Sequence, residues 1–558
     1  MNSMHVLSAA EIEACDRATT ERFGIPSIDL MRAASSAVAA FARAQFPCAR
    51  RVTVLCGAGN NGGDGLMTAW LLAEAELEVT TILLGPPEKL KGDAAVAWSE
   101  LTNPVRGVVH VAAVAGDLEK HNDALAADLI VDAVLGTGFK PPMKGMALAA
   151  LEWLQKYAPA LTPILAVDLP SGRVADETAA AASGPVFPAD AVVTFTAPKP
   201  AHVFGALTRR WHQPVVVAPI GSPAAAVVST LGIEWAGSSL SLVQAPRASE
   251  SNKGSFGHVL VVGGCFGWVG GKAGAPAMTA LAALRAGAGL VTAAVPGPAL
   301  PVVASFAPEL MTWPLATTDG GQIAVKNLDA SATAALTSGK TVLAIGPGLG
   351  QSAETAKFTA GLLSATKIPA VIDADALNIL AKKPVLLAKL AKGRTLVLTP
   401  HPGEMARLIG STAAEVQSHR LESARDYAQR LGVILVLKGA RTLVAHPDGR
   451  VAVNTTGNPG MAKGGSGDML TGLIAGLLAQ YPDDPARAVE AAVYLHGLAA
   501  DLAVRDADEH TVLATDSLAR LADAFRSHPG HIAADGRNRY VWLQGGTACG
   551  RLETRAAN

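Results

Sequence analysis

The sequence predicts an α/β protein of two domains, each a parallel β-sheet covered by helices, and three observations predict it. Short apolar runs alternate with helix-length segments through both halves of the chain, the pattern of right-handed βαβ units. At 558 residues the chain exceeds one ordinary core, since domains hold roughly 100–200 residues. Half of the residues are hydrophobic, 17% are charged and only 4% are aromatic. The cores must therefore be assembled from Ala, Val, Leu and Gly, which suits buried parallel strands under alanine-rich helices.

In the first half the strand-like runs fall at residues 51–56, 78–84, 128–135, 163–168, 191–195 and 214–218. Strands spaced by helices imply a three-layer, Rossmann-like sheet whose ligands bind at the carboxyl ends of the strands. The pattern lapses between about residues 221 and 253, where Ser, Pro and Ala accumulate around Ser222-Pro223 and Ser249-Glu250-Ser251-Asn252. The domain boundary belongs there, giving a first domain over 1–225, a second over 240–535, and 536–558 as a loosely held tail. The second half restarts at 258–264, and further buried-strand candidates follow at 289–295, 341–345, 370–373, 395–399 and 433–438.

Bulk properties exclude several function classes. A net charge of −1 gives no long-range attraction for nucleic acid or an anionic membrane. Cys15, Cys48, Cys56, Cys265 and Cys549 form no C-x-x-C pair, which argues against a disulfide framework or zinc site and fits a reducing cytoplasm. Residues 1–17 carry Glu11, Glu13 and Asp16 where a signal peptide needs an apolar run. The most apolar region, 273–307, is interrupted by Arg285, Pro296, Pro298 and Pro301 and lacks the roughly 20 apolar residues of a spanning helix.

The run at 51–56 leads into Gly57-Ala58-Gly59-Asn60-Asn61-Gly62-Gly63-Asp64-Gly65 and then a helical segment. Gly57, Gly59 and Gly62 match G-x-G-x-x-G in a strand–turn–helix context, which first suggests a hydride-transferring dehydrogenase. That fingerprint requires an acid at the end of the next strand to hold a ribose, and here that strand ends Ile82-Leu83-Leu84-Gly85-Pro86. Two Asn and an Asp inside the loop instead supply oxygens suited to a hard cation or a polar heterocycle. Asp132, just before Gly136-Thr137-Gly138-Phe139-Lys140, and Asp168, just before Leu169-Pro170-Ser171-Gly172, stand at two further strand ends. Any one of these acids could be a loop cap. If the strands are adjacent, Asn61, Asp64, Asp132, Asp168 and Ser171 converge on one crevice.

The most informative stretch is Asn458-Pro459-Gly460-Met461-Ala462-Lys463-Gly464-Gly465-Ser466-Gly467-Asp468. Its glycines let backbone N–H groups converge on phosphoryl oxygens, the following helix adds its positive end, and Asp468 can take a hydroxyl proton. The plainer alternative is a glycine turn capped by Asp. Upstream, Gly346-Pro347-Gly348-Leu349-Gly350, Asp373-Ala374-Asp375, Thr399-Pro400-His401-Pro402 and Lys438-Gly439-Ala440-Arg441-Thr442 each follow a predicted strand. Prolines on both sides fix His401. Lys438 can meet phosphate as a point charge or merely cap a strand. A sugar-kinase-like α/β fold needs such a series, with Asp468 as base and the turn through Gly467 as anion hole.

These residues identify families. GAGNNGGDG, VDAVLGTG and VDLPSG resemble the YjeF N-terminal domain, the NAD(P)H-hydrate epimerase. NKGSFGHVLVVGG, LRAGAGLV, IGPGLG, TPHPGEMARL, LKGART and NPGMAKGGSGDMLTG resemble the ribokinase-like, ADP-dependent NAD(P)H-hydrate dehydratase. Together they resemble the fused, bifunctional repair family over nearly the whole chain, apart from the tail after about Asp535.

The resemblance implies repair of NADH and NADPH hydrated at the nicotinamide ring: epimer exchange by the first domain, dehydration of the S epimer by the second. It implies that Asn60, Asn61, Gly62, Gly63, Asp64, the run Gly136, Thr137, Gly138, Phe139, Lys140, Pro141 and Pro142, and Asp168 line the epimerase substrate site. It further implies K+ on Asn61, Asp132 and Ser171. In the dehydratase, Ala275, Gly350, His401 and Asp468 are expected on the hydrated substrate, and Lys438, Gly439, Ala440, Arg441, Thr442 and Gly467 on the nucleotide. Asp468, Asp168 and Asp132 are the candidate catalytic carboxylates. ADP is the expected phosphoryl donor, with ATP as the alternative and Mg2+ beside it, and a homo-oligomer is expected by analogy. Two departures from the family stand out: the loop 263–274 is long, and Lys463 stands where a small hydroxyl residue is frequent, adding positive charge beside the anion site. The rival reading is a ribokinase-type small-molecule kinase fused to a non-catalytic Rossmann-like interaction domain.

Overall fold

Both series of apolar runs become parallel sheets in the computed structural model, which describes residues 3–267, 270–527, 530–532 and 539–545. The chain forms two compact units, one of residues 4–233 joined by the C-terminal strands and one of residues 234–526.

In the first unit β1 (Arg51–Cys56), β2 (Glu78–Leu84), β3 (Val108–Ala112), β4 (Leu129–Ala133), β5 (Ile164–Val167), β6 (Ala191–Phe195) and β7 (Val215–Ala218) lie in the order β7-β6-β5-β4-β1-β2-β3, all parallel. Alternate residues of a strand face opposite sides. Val52, Val54 and Cys56 accordingly pack under the helices Ser27–Gln45 and Asn60–Glu74, while Leu55 joins Leu151 and Trp153 of the helix Gly145–Tyr157 on the other face. The strand order reverses at β1, so a crevice opens beyond the carboxyl ends of β1 and β4. The sequence reading omitted β3, an edge strand whose Val108 and Val111 are exposed and which therefore lacks a buried-strand signature.

In the second unit the strands are β8 (Ile233–Trp235), β9 (His258–Val262), a short hairpin of β10 (Phe266–Gly267) and β11 (Gly270–Gly271), β12 (Leu290–Pro296), β13 (Met311–Leu315), β14 (Val342–Ile345), β15 (Ala370–Ile372), β16 (Leu396–Leu398), β17 (Ile434–Leu437), β18 (Leu443–Ala445) and β19 (Val451–Val453). Ten of them form one sheet in the order β13-β12-β9-β14-β15-β16-β17-β18-β19-β8, parallel from β13 to β17. The hairpin accounts for the long loop 263–274, of which residues 268 and 269 lie outside the described residues.

Two segments differ from the sequence reading. Where the pattern lapses, β8 joins the second sheet, and the buried turn Ala236–Leu242 follows it. Trp235 Nε1 donates to Thr455 Oγ1 at 2.9 Å, and the Ser239 hydroxyl donates to buried Glu490. The Ser- and Gly-rich composition looks like a linker, yet its polar atoms are satisfied inside the core. At the far end, β20 (Gly530–Ile532) and β21 (Arg539–Gln544) extend the first sheet, with β21 antiparallel to β7. Tyr540 is buried, its hydroxyl donates to Ala37 O at 2.7 Å, and its ring stands edge-on to Phe41 at 5.6 Å. Residues 539–544 are thus a docked strand where a loose tail was expected; 536–538, 546–558 and with them Cys549 lie outside the described residues. Among the described residues no helix is long and apolar enough to cross a membrane.

Removing the Tyr540 ring leaves a cavity against Phe41, so Tyr540→Ala is expected to destabilise the first unit by about 3 kcal/mol. Tyr540→Phe, which loses one buried hydrogen bond, should cost about 1 kcal/mol. Urea unfolding followed by circular dichroism reads both; an unshifted midpoint for Tyr540→Ala would show that the strand is not docked.

Candidate active sites

The crevice of the first unit is a cavity of about 1120 Å³, walled by Asn60, Asn61, Asp64, Gly136, Thr137, Gly138, Phe139, Lys140, Pro141 and Asp168. Its glycines are dictated by close approach. Gly57 N–H donates to Ala133 O at 3.0 Å, and a Cβ there would overlap the Val134 carbonyl; a Cβ at Gly62 would overlap the Gly57 carbonyl. Gly62 and Gly63 therefore pack beneath the loop, and like Pro142 they are not in the cavity wall.

Asp168 follows β5 at a φ of +67°, a conformation Asp tolerates better than most residues. Lys199 Nζ donates to its Oδ1 at 2.6 Å, Thr194 Oγ1 to the same oxygen at 2.8 Å, and Thr137 N–H to Oδ2 at 3.1 Å. Its carbonyl lies 2.8 Å from His202 Nε2, while His202 Nδ1 accepts Lys199 N–H at 3.0 Å. Those partners leave the imidazole neutral, and burial, reinforced by the Lys199 charge, pushes it down to about 4. Burial alone would raise the Asp168 carboxyl; the Lys199 ammonium and the hydrogen bonds from Lys199 and Thr137 outweigh it and hold the group well below the carboxylate range. Asp64 goes the other way: burial and then the charges of Asp168 and Asp16 drive it well above that range. Asp16, raised chiefly by burial, lines the same cavity. Sequence reasoning missed Asp16, Lys199 and His202 as site residues; a lone lysine between two prolines beside the apolar run 191–197 is the only signal Lys199 gives.

Asp132 is fully buried behind this wall. Ser171 donates to it through Oγ at 2.5 Å and N–H at 2.8 Å, and Val134 N–H reaches it at 3.2 Å. Burial lifts its carboxyl to about 6 against those hydrogen bonds, and no cationic side chain is among the groups acting on it. Asn61 lies against Gly136, and its buried amide Nδ2 has no hydrogen-bond partner. An uncompensated carboxylate hydrogen-bonded to a hydroxyl fits a cation that takes oxygen ligands.

In the second unit the helix Ser466–Gln480 begins after Gly465 (φ +97°), and no side chain caps it. Its first N–H groups therefore face an anion site. Asp468 sits in the first turn rather than at the cap, so it is not the capping Asp of the plainer reading. Thr279 Oγ1 lies 3.0 and 2.9 Å from the carbonyls of Ala275 and Asp468, which brings those two residues together. Lys438 Nζ donates to buried Asp373 at 2.8 Å and lies 3.8 Å from Glu404, whose carboxylate accepts His401 N–H at 2.8 Å. Thr399 and Thr471 donate to Asp373 at 2.8 and 2.9 Å. A Cβ on Gly467 would lie 3.6 Å from Lys438 Nζ, placing these two side by side. Burial lowers and Asp373 raises the Lys438 ammonium, with a net rise. Asp468 is pushed up to about 6 by burial and the Asp373 charge, against Lys438 and Lys272.

Around this centre, Gly350 N–H donates to Asp375 at 2.9 Å, Lys272 Nζ lies 3.8 Å from the same carboxylate, and Thr442 Oγ1 closes on Gly439 O at 2.9 Å. The Lys463 ammonium donates to the carbonyls of His510 at 2.6 Å and Val512 at 2.8 Å, so it also ties down a loop.

Residues 259–522 match the NAD(P)H-hydrate dehydratase family, and residues 27–201 match the family described as YjeF-related protein N-terminus. The bifunctional NAD(P)H-hydrate repair enzyme Nnr of Moorella thermoacetica is 41% identical over 529 residues, covering 92% of this chain and 95% of its own. That of Escherichia coli K12 is 36% identical, covering 92% of each. Among solved structures, the ADP/ATP-dependent NAD(P)H-hydrate dehydratase of Bacillus subtilis, co-crystallised with ATP and Mg2+, is 34% identical, covers 51% of this chain and 96% of its own, and superposes with a TM-score of 0.43. With both domains matched in order and the M. thermoacetica enzyme 41% identical across 95% of its length, the chain belongs to the family of bifunctional NAD(P)H-hydrate repair enzymes.

Proposed function

We propose that the second unit dehydrates the S epimer of hydrated NADH or NADPH with ADP as phosphoryl donor, and that the first unit interconverts the R and S epimers. One observation carries the dehydratase reading: Asp468 stands in the first turn of an uncapped helix beside Lys438, with its carboxyl near 6. A hydroxyl is a poor leaving group. Asp468 takes the proton of the ring hydroxyl as its oxygen attacks the terminal phosphorus of ADP, and AMP departs. The C–O bond of the new phosphate ester then breaks under push from the ring nitrogen, releasing phosphate, and loss of a proton from the adjacent ring carbon to solvent forms the ring double bond of NAD(P)H. The helix N-terminus and Lys438 hold the charge that develops on the phosphoryl oxygens. Mg2+ would neutralise phosphate charge on the nucleotide.

In the first unit Asp168, kept ionised by Lys199, suits a proton acceptor, and Asp64, raised by burial, suits a donor across the same cavity. Asn61, Asp132 and Ser171 would hold K+, whose charge would offset the buried carboxylate and draw the substrate's phosphates.

Two outcomes test this reading. Asp468→Asn should lower kcat for the S hydrate by about 10³-fold, with ADP affinity retained, and wild type should release one phosphate per NAD(P)H; a stable phosphorylated product would instead indicate a kinase. Because the base is the ionised form, kcat/KM should be full above the Asp468 value of about 6 and fall below it, about tenfold per pH unit. A profile flat well below that value would remove Asp468 as the base.

A further inference from the structure

Asp501 carries no role in the reading above, yet it holds the segment that leads into the phosphate turn. Residues 454–458 cross the helix Pro485–Asp506 at backbone contact: a Cβ at Gly497 would overlap Thr456 Oγ1 and lie 2.8 Å from Gly457 N. Thr456 Oγ1 donates to Tyr494 O at 2.9 Å. One turn further along the helix, Asp501 accepts Gly457 N–H at 2.9 Å through Oδ2 and the Asn458 amide at 3.0 Å through Oδ1. The other end of that amide, Asn458 Oδ1, accepts Gly460 N–H at 3.0 Å and caps the tight turn Pro459–Met461.

This chain of bonds has a direction. An ionised carboxylate only accepts, a backbone N–H only donates, and an amide does one at each end. With Asp501 accepting, Asn458 must turn its Nδ2 toward the helix and its Oδ1 toward Gly460. The same carboxylate is electrostatically coupled to Arg441, whose guanidinium donates to Thr455 O at 3.0 Å. One group thus holds the start of the turn running to Gly467 and acts electrostatically on Arg441 in the segment Lys438 to Thr442, the two segments expected on the nucleotide.

We propose that Asp501 is a positioning residue for the adenine nucleotide, acting through Asn458 to fix the turn that enters the anion site. The inference rests on the reading of that turn as the nucleotide site. Burial lifts the Asp501 carboxyl to about 6, against the Asn458 and Gly457 hydrogen bonds and the Arg505 and Arg441 charges, so its test is made well above that pH.

Asp501→Asn, nearly the same shape, sets an amide donor against the Asn458 donor. KM for ADP and its calorimetric Kd are expected to rise about tenfold, the scale of one charge-assisted hydrogen bond, with kcat at saturating ADP little changed. The double variant Asp501→Asn with Asn458→Asp rebuilds every link, reversing only the bond between the two side chains: the new amide accepts from Gly457 and donates to the new carboxylate, which also accepts from Gly460. It should recover most of the lost affinity, which loss of packing or of charge alone would not. Wild-type ADP affinity in the single variant, or no recovery in the double variant, overturns the proposal. If calorimetry detects neither ADP nor ATP bound to the wild type, the nucleotide reading itself falls, and this inference with it.

Discussion

Each candidate active site depends on a lysine buried against an aspartate at the carboxyl end of a parallel strand. In the first unit the pair is Lys199 and Asp168 at 2.6 Å, in the second Lys438 and Asp373 at 2.8 Å. Removing either partner would strand a charge at a cost of roughly 3–5 kcal/mol, so these pairs are not ornaments of the fold. Their effect extends to a second carboxylate. Beside Asp168 stands Asp64 and beside Asp373 stands Asp468, and in both cases burial plus the neighbouring aspartate's charge raises the second group. In the first unit the environments of Asp168 and Asp64 thus drive their proton affinities apart, the arrangement from which acid and base roles follow.

Topology decides where those carboxylates meet. Parallel strands place every loop that follows a strand on one side of the sheet, and the reversal of order at β1 leaves room there for a ligand. The loops can then close only where side chains are absent: β1 and β4 meet backbone to backbone at Gly57, and the helix Pro485–Asp506 meets residues 456–457 at Gly497. What looks in the sequence like a glycine-rich cradle is partly a packing requirement, since Gly62 packs on the Gly57 backbone and Gly63 on Met31 and Ala94 of neighbouring helices, and neither lines the cavity.

The sequence made the strand ends, the glycine turns and Asp468 legible because each is local: an apolar run, then a turn residue, then a helix start. It did not reveal the pairings between distant segments. Lys199 meets Asp168 across 31 residues and Lys438 meets Asp373 across 65, and no local pattern records either. The tethering role of Lys463 was hidden for the same reason, since the carbonyls that hold it belong to residues 510 and 512. The strand Arg539–Gln544 was obscured by its position at the end of the chain, where composition suggests a tail, and its partner β7 lies more than 300 residues earlier.

The most direct measurement uses one preparation of the intact chain with ADP, Mg2+ and a mixture of both epimers of NADPH hydrate, following recovery of the dihydronicotinamide absorbance. With an epimerase and a dehydratase each built around its own aspartate, the whole mixture should return to NADPH in an enzymatic time course. Recovery that halts when the S fraction is exhausted would contradict the role assigned to Asp168 and its cavity, and no recovery with either ADP or ATP would contradict the repair account as a whole.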